Sequence, residues 1–349
     1  MKKIGNLRQR PFVYEAEKAI RGYLMCKKIR RKYGKDAHII ITRGKIGDIY
    51  LYFRFLKTYL EKNGIENYVM VGDCKNITSI QKLYPNIKGP CIPTSEYMGG
   101  CLQNAYCLWG SEKLNCTLSL MWDVDLPFNR CATRLTDRFN FIDSYYWFLF
   151  DLDREKTEPT QAHFEQLSPE RIQQLETAGF QKGKTVVISP FAYCVRCLPH
   201  LFWELLGKDL QNRGYTVLFM VDPVHEKNEF GFPRVFFKYA ESVPVLEYAG
   251  HFIGLRSGFC DIISSAVCQK VILYPTKPKL FDGGAYRADV MFSGLKEMEL
   301  SEDAAEIVVP FARNIGDFEP EEENLTLRFA EEYRLIEQIL RNFPDLKRS

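Results

Sequence analysis

The stretch Leu255-Arg-Ser-Gly-Phe-Cys-Asp261 carries the residue types that a phosphate site uses, in a suitable order. His251–Gly254 reads as a short buried strand, Arg256-Ser-Gly258 as a tight turn, and Asp261–Cys268 as a helix. A strand that ends in small residues and feeds a helix aims backbone N–H groups at one point. Hydrogen bonding and the helix dipole both attract phosphate there. Arg256 adds a planar cation, and Ser257 and Gly258 let the backbone come close. With Phe259, Cys260 and Asp261 completing it, the turn suits a nucleotide diphosphate. The same spelling fits an ordinary strand-to-helix turn with Asp261 as a plain N-cap. Glu247 and Tyr248, just ahead of the strand, are candidates for the nucleoside, the carboxylate holding ribose hydroxyls.

A second candidate lies near the start of the chain. Asp48 follows the apolar run Ala37–Thr42, in the turn Arg43-Gly-Lys-Ile-Gly-Asp48. A carboxylate there can take a proton from a sugar hydroxyl, or it can simply favour a helix start through the macrodipole. Arg196 lies in Ser189-Pro-Phe-Ala-Tyr-Cys-Val-Arg-Cys-Leu-Pro199, where a guanidinium can neutralise a leaving diphosphate. Cys194 and Cys197 spell half of a redox or zinc site but lack a second pair at ligand spacing, so no metal site is assigned. Asp123-Val-Asp125 follows a strand-like run and can hold a divalent ion against a diphosphate; Asp151-Leu-Asp153 repeats the spelling.

These residues need elements to position them. A chain of 349 residues suits two domains, and no run of apolar residues is long enough to span a membrane. The 11 cysteines are mostly scattered, and no apolar signal segment opens the chain, which together predict reduced thiols in a cytoplasm. The net charge of +3 conceals an asymmetry, because residues 1–36 carry +9 and the rest −6. Pro11 to Tyr33 reads as a basic amphipathic helix stopped by Gly34, either packed on the body or lying on an anionic membrane surface. No nucleic-acid motif accompanies it. Strands are expected at 37–42, 68–71 and 118–122, with helices to about 63 and over 75–85. Residues 86–112 read as loop-rich, and 145–150 as a strand or a buried helix. After a polar connection at 151–183, a second series follows: strands at 185–189, 216–221, 251–254 and 271–274, with helices at 198–213, 243–248 and 261–268. An amphipathic helix over 325–342 closes the chain. Alternating strands and helices predict α/β domains with parallel sheets, and ligands at the carboxyl ends of their strands.

Thr42-Arg-Gly-Lys-Ile-Gly-Asp-Ile-Tyr-Leu51 resembles the opening of the heptosyltransferase-like (family 9) glycosyltransferases of GT-B fold. Val187–Leu206 resembles their strand, Ser-Pro loop, Leu-Pro and Trp-bearing helix. Phe252–Ile263 resembles their donor-diphosphate loop, and Arg-Ser-Gly-x-Cys-Asp is similar to fucosyltransferase-like enzymes as well. The likeness spans about residues 37–275, with specific spelling in three short segments. It implies two Rossmann-type domains facing a cleft, with residues 1–36 as a basic helical extension. Residues 37–165 would be the acceptor-side domain, 166–316 the nucleotide-sugar domain, and 317–349 a helix packing back on the body. It further implies inverting, metal-independent transfer from a nucleotide diphosphate sugar to a glycan or lipid-linked glycan hydroxyl, with no other cofactor. Asp48 matches the general base and Arg196 sits near the phosphate-neutralising cation. The Ser257–Asp261 turn matches the donor loop, and Arg43, Lys45 and Gly47 form the acceptor-side loop. The donor loop departs from the heptosyltransferase spelling, with Gly-Phe-Cys-Asp where that family has a Gly-Pro-x-His-like ending. The competing readings are a metal-dependent GT-A enzyme using Asp123 and Asp125, a sugar-nucleotide epimerase, and a catalytically silent glycan-binding or scaffolding protein.

Overall fold

The computed structural model describes residues 11–72, 76–119, 141–192, 195, 197–222, 230–275, 294–309 and 332–347. The chain divides into two compact units, Met1–Cys131 with Asp143–His163, and Ala132–Ile142 with Phe164–Ser349. Each unit holds one parallel sheet.

In the first unit, β1 (His38–Thr42), β2 (Tyr68–Gly72), β3 (Cys91–Pro93) and β4 (Cys116–Ser119) run in the order β3-β2-β1-β4. All pairs are parallel, so each connection must be a crossover. Helices α2 (Ile46–Lys62), α3 (Ile77–Gln81) and α4 (Glu96–Leu114) supply them. Ile39 and Ile41 pack with Cys26 and Ile29 of α1 (Pro11–Tyr33) and with Leu102 and Ala105 of α4. Ile40, equally buried, points to the other face by the period of two along a strand. Helix α2 buries Tyr52, Phe53, Phe55 and Leu56, and Phe55 meets the rings of Tyr145 and Tyr146 in the π-helical turn Tyr145–Leu149.

In the second unit, β5 (Thr185–Ser189), β6 (Thr216–Met220), β7 (Arg234–Val235), β8 (Gly250–Leu255), β9 (Gln269–Pro275) and β10 (Ala305–Val309) run in the order β10-β9-β8-β5-β6-β7. All five pairs are parallel. Helices α5 (Pro169–Thr177), α6 (His200–Asn212), α7 (Ser242–Ala249) and α8 (Gly258–Ile262) lie in this unit. Phe202, Trp203, Leu206 and Leu210 of α6 pack against Val186, Ile188 and Phe219 of the sheet. A final helix, α9, covers residues 332–340. Its Ile336, Ile339 and Leu340, with Phe343 beyond, join the same core, and Arg213 donates to the carbonyls of Leu340 and Phe343 at 2.6 Å each.

Several expectations change here. Residues 86–112 are not mainly loop, because β3 and most of α4 lie among them. Gly99, Gly100 and Gly110 weaken the helical signal, and Gly110 has φ 76° where the helix kinks. The helix forms because its buried face, with Cys101, Leu102 and Ala105, is covered. The short strands β3, β7 and β10 were not anticipated. The helix expected at 261–268 is instead Gly258–Ile262, and its N-cap is Ser257 rather than Asp261. The expected strand at 118–122 begins two residues earlier, at Cys116, and residues 120–122 lie outside the described residues, as do 1–10 and 325–331.

The helix read as an extension is part of the first unit. Ala19, Cys26 and Ile29 are buried, and Arg30 donates to the Leu114 carbonyl at the end of α4, where a cation is favoured. The two helices cross at Gly22, where an added Cβ would lie 2.0 Å from the Cys101 carbonyl oxygen and 2.9 Å from Ala105 Cβ. Gly22→Ala is therefore expected to cost about 1–3 kcal/mol through overpacking. The check is a lowered urea midpoint at unchanged slope.

Candidate functional site

Both sheets share one topological feature. In the first, β1 lies between β2 and β4, so the crossovers from β1 and into β4 leave in opposite directions. In the second, β5 lies between β6 and β8, with the same reversal. At such a switch point the loops beyond the strand ends diverge and leave a crevice for a ligand. The turn after β1 carries Asp48, and the turn after β8 carries Arg256–Asp261. Asp48 and the Arg256–Asp261 turn thus fall at the two switch points.

In the first unit, Thr42 ends β1 fully buried, and Gly44 turns the chain with φ +129°. An added Cβ at Gly44 would lie 2.8 Å from the Asp48 Oδ2, so glycine is required both for conformation and for room. Asp48 Oδ2 accepts the Lys45 N–H at 2.8 Å, which caps the start of α2. The Tyr145 hydroxyl donates to the Asp48 carbonyl at 3.4 Å. Asp48 is half-buried, Gly47 is buried and Lys45 is exposed. Arg43 Nη1 donates to Gln103 Oε1 of α4.

In the second unit, Arg256 does not stand out into solvent. Its side chain is 12% exposed, and its Nη2 lies 2.6 Å from Asp261 Oδ1, which is itself 4% exposed. Nη1 donates to the Ser257 carbonyl at 2.6 Å. Burial opposes the charged guanidinium, but the charge of Asp261, with smaller help from Tyr274 and Cys260, outweighs it and raises the Arg256 pKa. The ion pair braces the turn from beneath. Phe259 and Cys260 are buried, and the Cys260 thiol donates to the Leu255 carbonyl at 3.3 Å. Burial pushes that thiol's pKa up, which disfavours the reactive thiolate. Ser257 and Gly258 remain half-buried at the lip of the turn. The N–H groups of Gly258 and Phe259 fall in the first helical turn, where the helix's own ladder has no acceptor for them.

Glu247 and Tyr248 lie at the wrong end of the sheet for this ligand. They precede Gly250, the first residue of β8, while Ser257 follows its last. Six strand residues separate the two ends by roughly 20 Å. Glu247 Oε1 accepts the Val267 N–H at 3.0 Å, and the Tyr248 hydroxyl donates to Glu176 at 2.7 Å, which raises the phenol's pKa. The residues that do flank the turn are Phe237 and Tyr239, whose rings lie 6.2 and 6.3 Å from that of Phe259. They follow β7 at the carboxyl edge, just before α7 turns back. The sequence signal was the position after a strand rather than before one. Arg196, Cys194, Asp123 and Asp125 lie outside the described residues. Cys197 is an exposed free thiol, and no grouping of metal-ligand side chains occurs among the described residues.

A known structure shares this architecture. A glycosyl transferase family 9 structure from Veillonella parvula DSM 2008 superposes with TM-score 0.50 at 13% identity, over 87% of this chain and 97% of that one. The fold is GT-B-like. The E. coli ADP-heptose LPS heptosyltransferase II gives 0.48 at 14% identity, over 86% and 98% of the two chains. E. coli heptosyltransferase WaaC with ADP gives 0.42 at 12%, over 84% and 99%. No family model matches the sequence, and no curated protein does. The second sheet belongs to this fold.

The brace makes a separable prediction. Asp261→Ala strands a buried guanidinium and is expected to cost about 3–5 kcal/mol in urea unfolding of the ligand-free protein. Pairing Arg256→Met with Asp261→Leu should recover most of that loss, because no charge is then left buried alone.

Proposed function

We propose that this chain is a glycosyltransferase that moves a sugar from a nucleotide diphosphate sugar to a hydroxyl of a glycan or lipid-linked glycan, in surface polysaccharide synthesis. The observation that carries the reading is the pair of switch-point turns in a GT-B-like fold, one bearing a carboxylate and the other first-turn amides. Asp48 takes the proton of the acceptor hydroxyl as its oxygen bonds to the anomeric carbon. The bond from that carbon to the diphosphate oxygen breaks, and the developing charge meets the Ser257 hydroxyl and the Gly258 and Phe259 amides. Arg256 contributes by holding that turn through Asp261. Arg196 supplies a further cation to the leaving group, and Tyr239 flanks the nucleotide, with buried Phe237 packed behind the turn. Inversion and independence from metal follow from the sequence resemblance.

The cap does not compete with the chemistry, because a carboxylate accepts through two oxygens. Asp48→Asn separates the roles, since the amide oxygen still accepts the Lys45 N–H. The variant is expected to keep its fold while kcat falls by roughly 10²–10⁴. The companion measurement is thermal-shift titration with UDP, GDP, ADP, CDP and dTDP, with and without EDTA. Stabilisation of both wild type and Asp48→Asn by one diphosphate, retained in EDTA, is expected. Stabilisation that requires a divalent ion would transfer the role to Asp123 and Asp125. No response to any nucleotide would favour a silent glycan-binding protein.

The outer face of α1 supports a peripheral membrane location at a cytoplasmic surface. No helix among the described residues is long and apolar enough to cross a membrane. Val13, Ile20 and Leu24 are exposed on α1 at spacings that share one face, with exposed Lys27, Lys28 and Arg31 continuing it. Apolar side chains flanked by cations fit anionic lipid headgroups. Replacing both Ile20 and Leu24 by Glu is expected to weaken sedimentation with phosphatidylglycerol vesicles by roughly tenfold or more. Phosphatidylcholine vesicles should bind neither protein. Point changes are the proper test, because α1 is part of the core of its unit.

A further inference from the structure

A cavity of about 760 Å³ opens in the first unit between the end of α2 and the chain that follows the π-helical turn. Thr58 and Lys62 of α2, Trp147 of that turn, and Asp151 to Glu155 with Thr157 line it. Its volume falls within the range of small-molecule sites, roughly 300–1,000 Å³. Asp48 and Lys62 stand in the first and last turns of α2, which separates them by roughly 20 Å along the helix. The cavity is therefore remote from the turn after β1.

Its walls are built. Phe150 is buried against the rings of Tyr52 and Tyr59, at 4.7 and 5.3 Å. Leu152 is buried, and its N–H donates to the Tyr146 carbonyl at 2.7 Å. Between them Asp151 is held at φ +48°, with its carboxylate 2.7 Å from Lys62 Nζ. Arg154 pairs with buried Asp143, and its guanidinium lies 5.7 Å from the centre of the Tyr146 ring. Asp153 pairs with Lys156 at 2.7 Å. The two carboxylates of Asp151-Leu-Asp153 are thus engaged by lysines, and no grouping of metal-ligand side chains occurs among the described residues.

The three ion pairs leave Glu155 as the surplus charge of the group, which disfavours an anion. The same pairs keep hydrogen-bonding capacity, since a carboxylate accepts and an ammonium or guanidinium donates at several positions. The hydroxyls of Thr58 and Thr157 do both. Beside them the Trp147 side chain is half-exposed. An uncharged pyranose matches this lining: its hydroxyls meet oriented donors and acceptors, and its apolar C–H face rests on an aromatic ring.

We propose that this cavity is a second carbohydrate site, which takes an uncharged sugar residue and holds it against Trp147. A ring seated there is too far from Asp48 to react, so the site retains a glycan without taking part in its chemistry.

The test is saturation-transfer NMR on the full chain, without nucleotide, so that the result is independent of the transferase reading. The probes are the methyl glycosides of glucose, galactose, mannose and N-acetylglucosamine, with methyl glucuronide and choline as charged counterparts. Ring-proton transfer to at least one neutral glycoside is expected, with tighter binding than either charged probe. Trp147→Ala should weaken that binding by roughly tenfold or more, whereas Trp147→Phe, which keeps a ring, should retain most of it. Thr58→Arg fills the cavity from a half-buried position on α2 and should abolish transfer at an unchanged unfolding temperature. Silence from every neutral glycoside would overturn the proposal, as would a response that survives both Trp147→Ala and Thr58→Arg. Tighter binding of choline or of methyl glucuronide would also overturn it, in favour of a cation or an anion site.

Discussion

Parallel strands place all their carboxyl ends on one edge, and a sheet wound in both directions leaves one gap along that edge. Both sheets of this chain obey that constraint, and Asp48 and the Arg256–Asp261 turn are positioned by it. The strands β1 and β8 are buried nearly throughout, so neither can shift its register without moving apolar side chains out of the core. The turns that follow inherit that rigidity. Gly44, at φ +129°, permits the backbone to turn back after β1, and each turn leads into a helix whose first amides have no acceptor within the helix ladder.

The turn after β8 shows how a charged pair can brace a loop from within. Removing Arg256 and Asp261 from water is costly, and their mutual attraction repays it only in close geometry. The 2.6 Å contact and the bond from Arg256 to the Ser257 carbonyl supply that geometry. The product is a lip in which Ser257 and Gly258 stay accessible while Phe259, Cys260 and Asp261 are held inside. Preorganised backbone donors of this kind need no rearrangement as charge develops, which is where electrostatic stabilisation is most effective.

Sequence patterns were informative where a residue's neighbours in the chain are also its neighbours in space. Ala37–Thr42 is apolar because β1 is covered on both faces, and Asp48 three residues beyond Lys45 is a local cap. Ser168 followed by Pro169 marks the start of α5 for the same reason, its hydroxyl accepting the Arg171 N–H at 3.2 Å. What the chain order hid was tertiary. Helix α4 has poor intrinsic propensity and exists through its packing on α1, which lies about 80 residues earlier. Arg256 looked like a ligand cation because its spelling is that of a phosphate loop, but only folding brings Asp261 beneath it. Glu247 and Tyr248 are close to the loop in sequence and a strand length away in space. Conversely, Phe237 and Tyr239 are some 20 residues before Phe259 and beside it in the structure.

Helix α1 shows why a basic segment resists a single reading. Its charge suggested a surface feature, yet Gly22, Cys26 and Ile29 carry a close helix crossing on one side. Exposed Ile20 and Leu24 present an apolar strip on another, and Tyr14 with Lys18 lines a cavity at its start. A helix has room for three such faces because residues three and four apart align while their neighbours rotate away by about 100°. The three uses also constrain one another. Docking on α4 fixes where Tyr14 and Lys18 stand relative to Gln103, and therefore relative to the turn that Arg43 shares with Asp48. The outer strip is tied to the same rigid body.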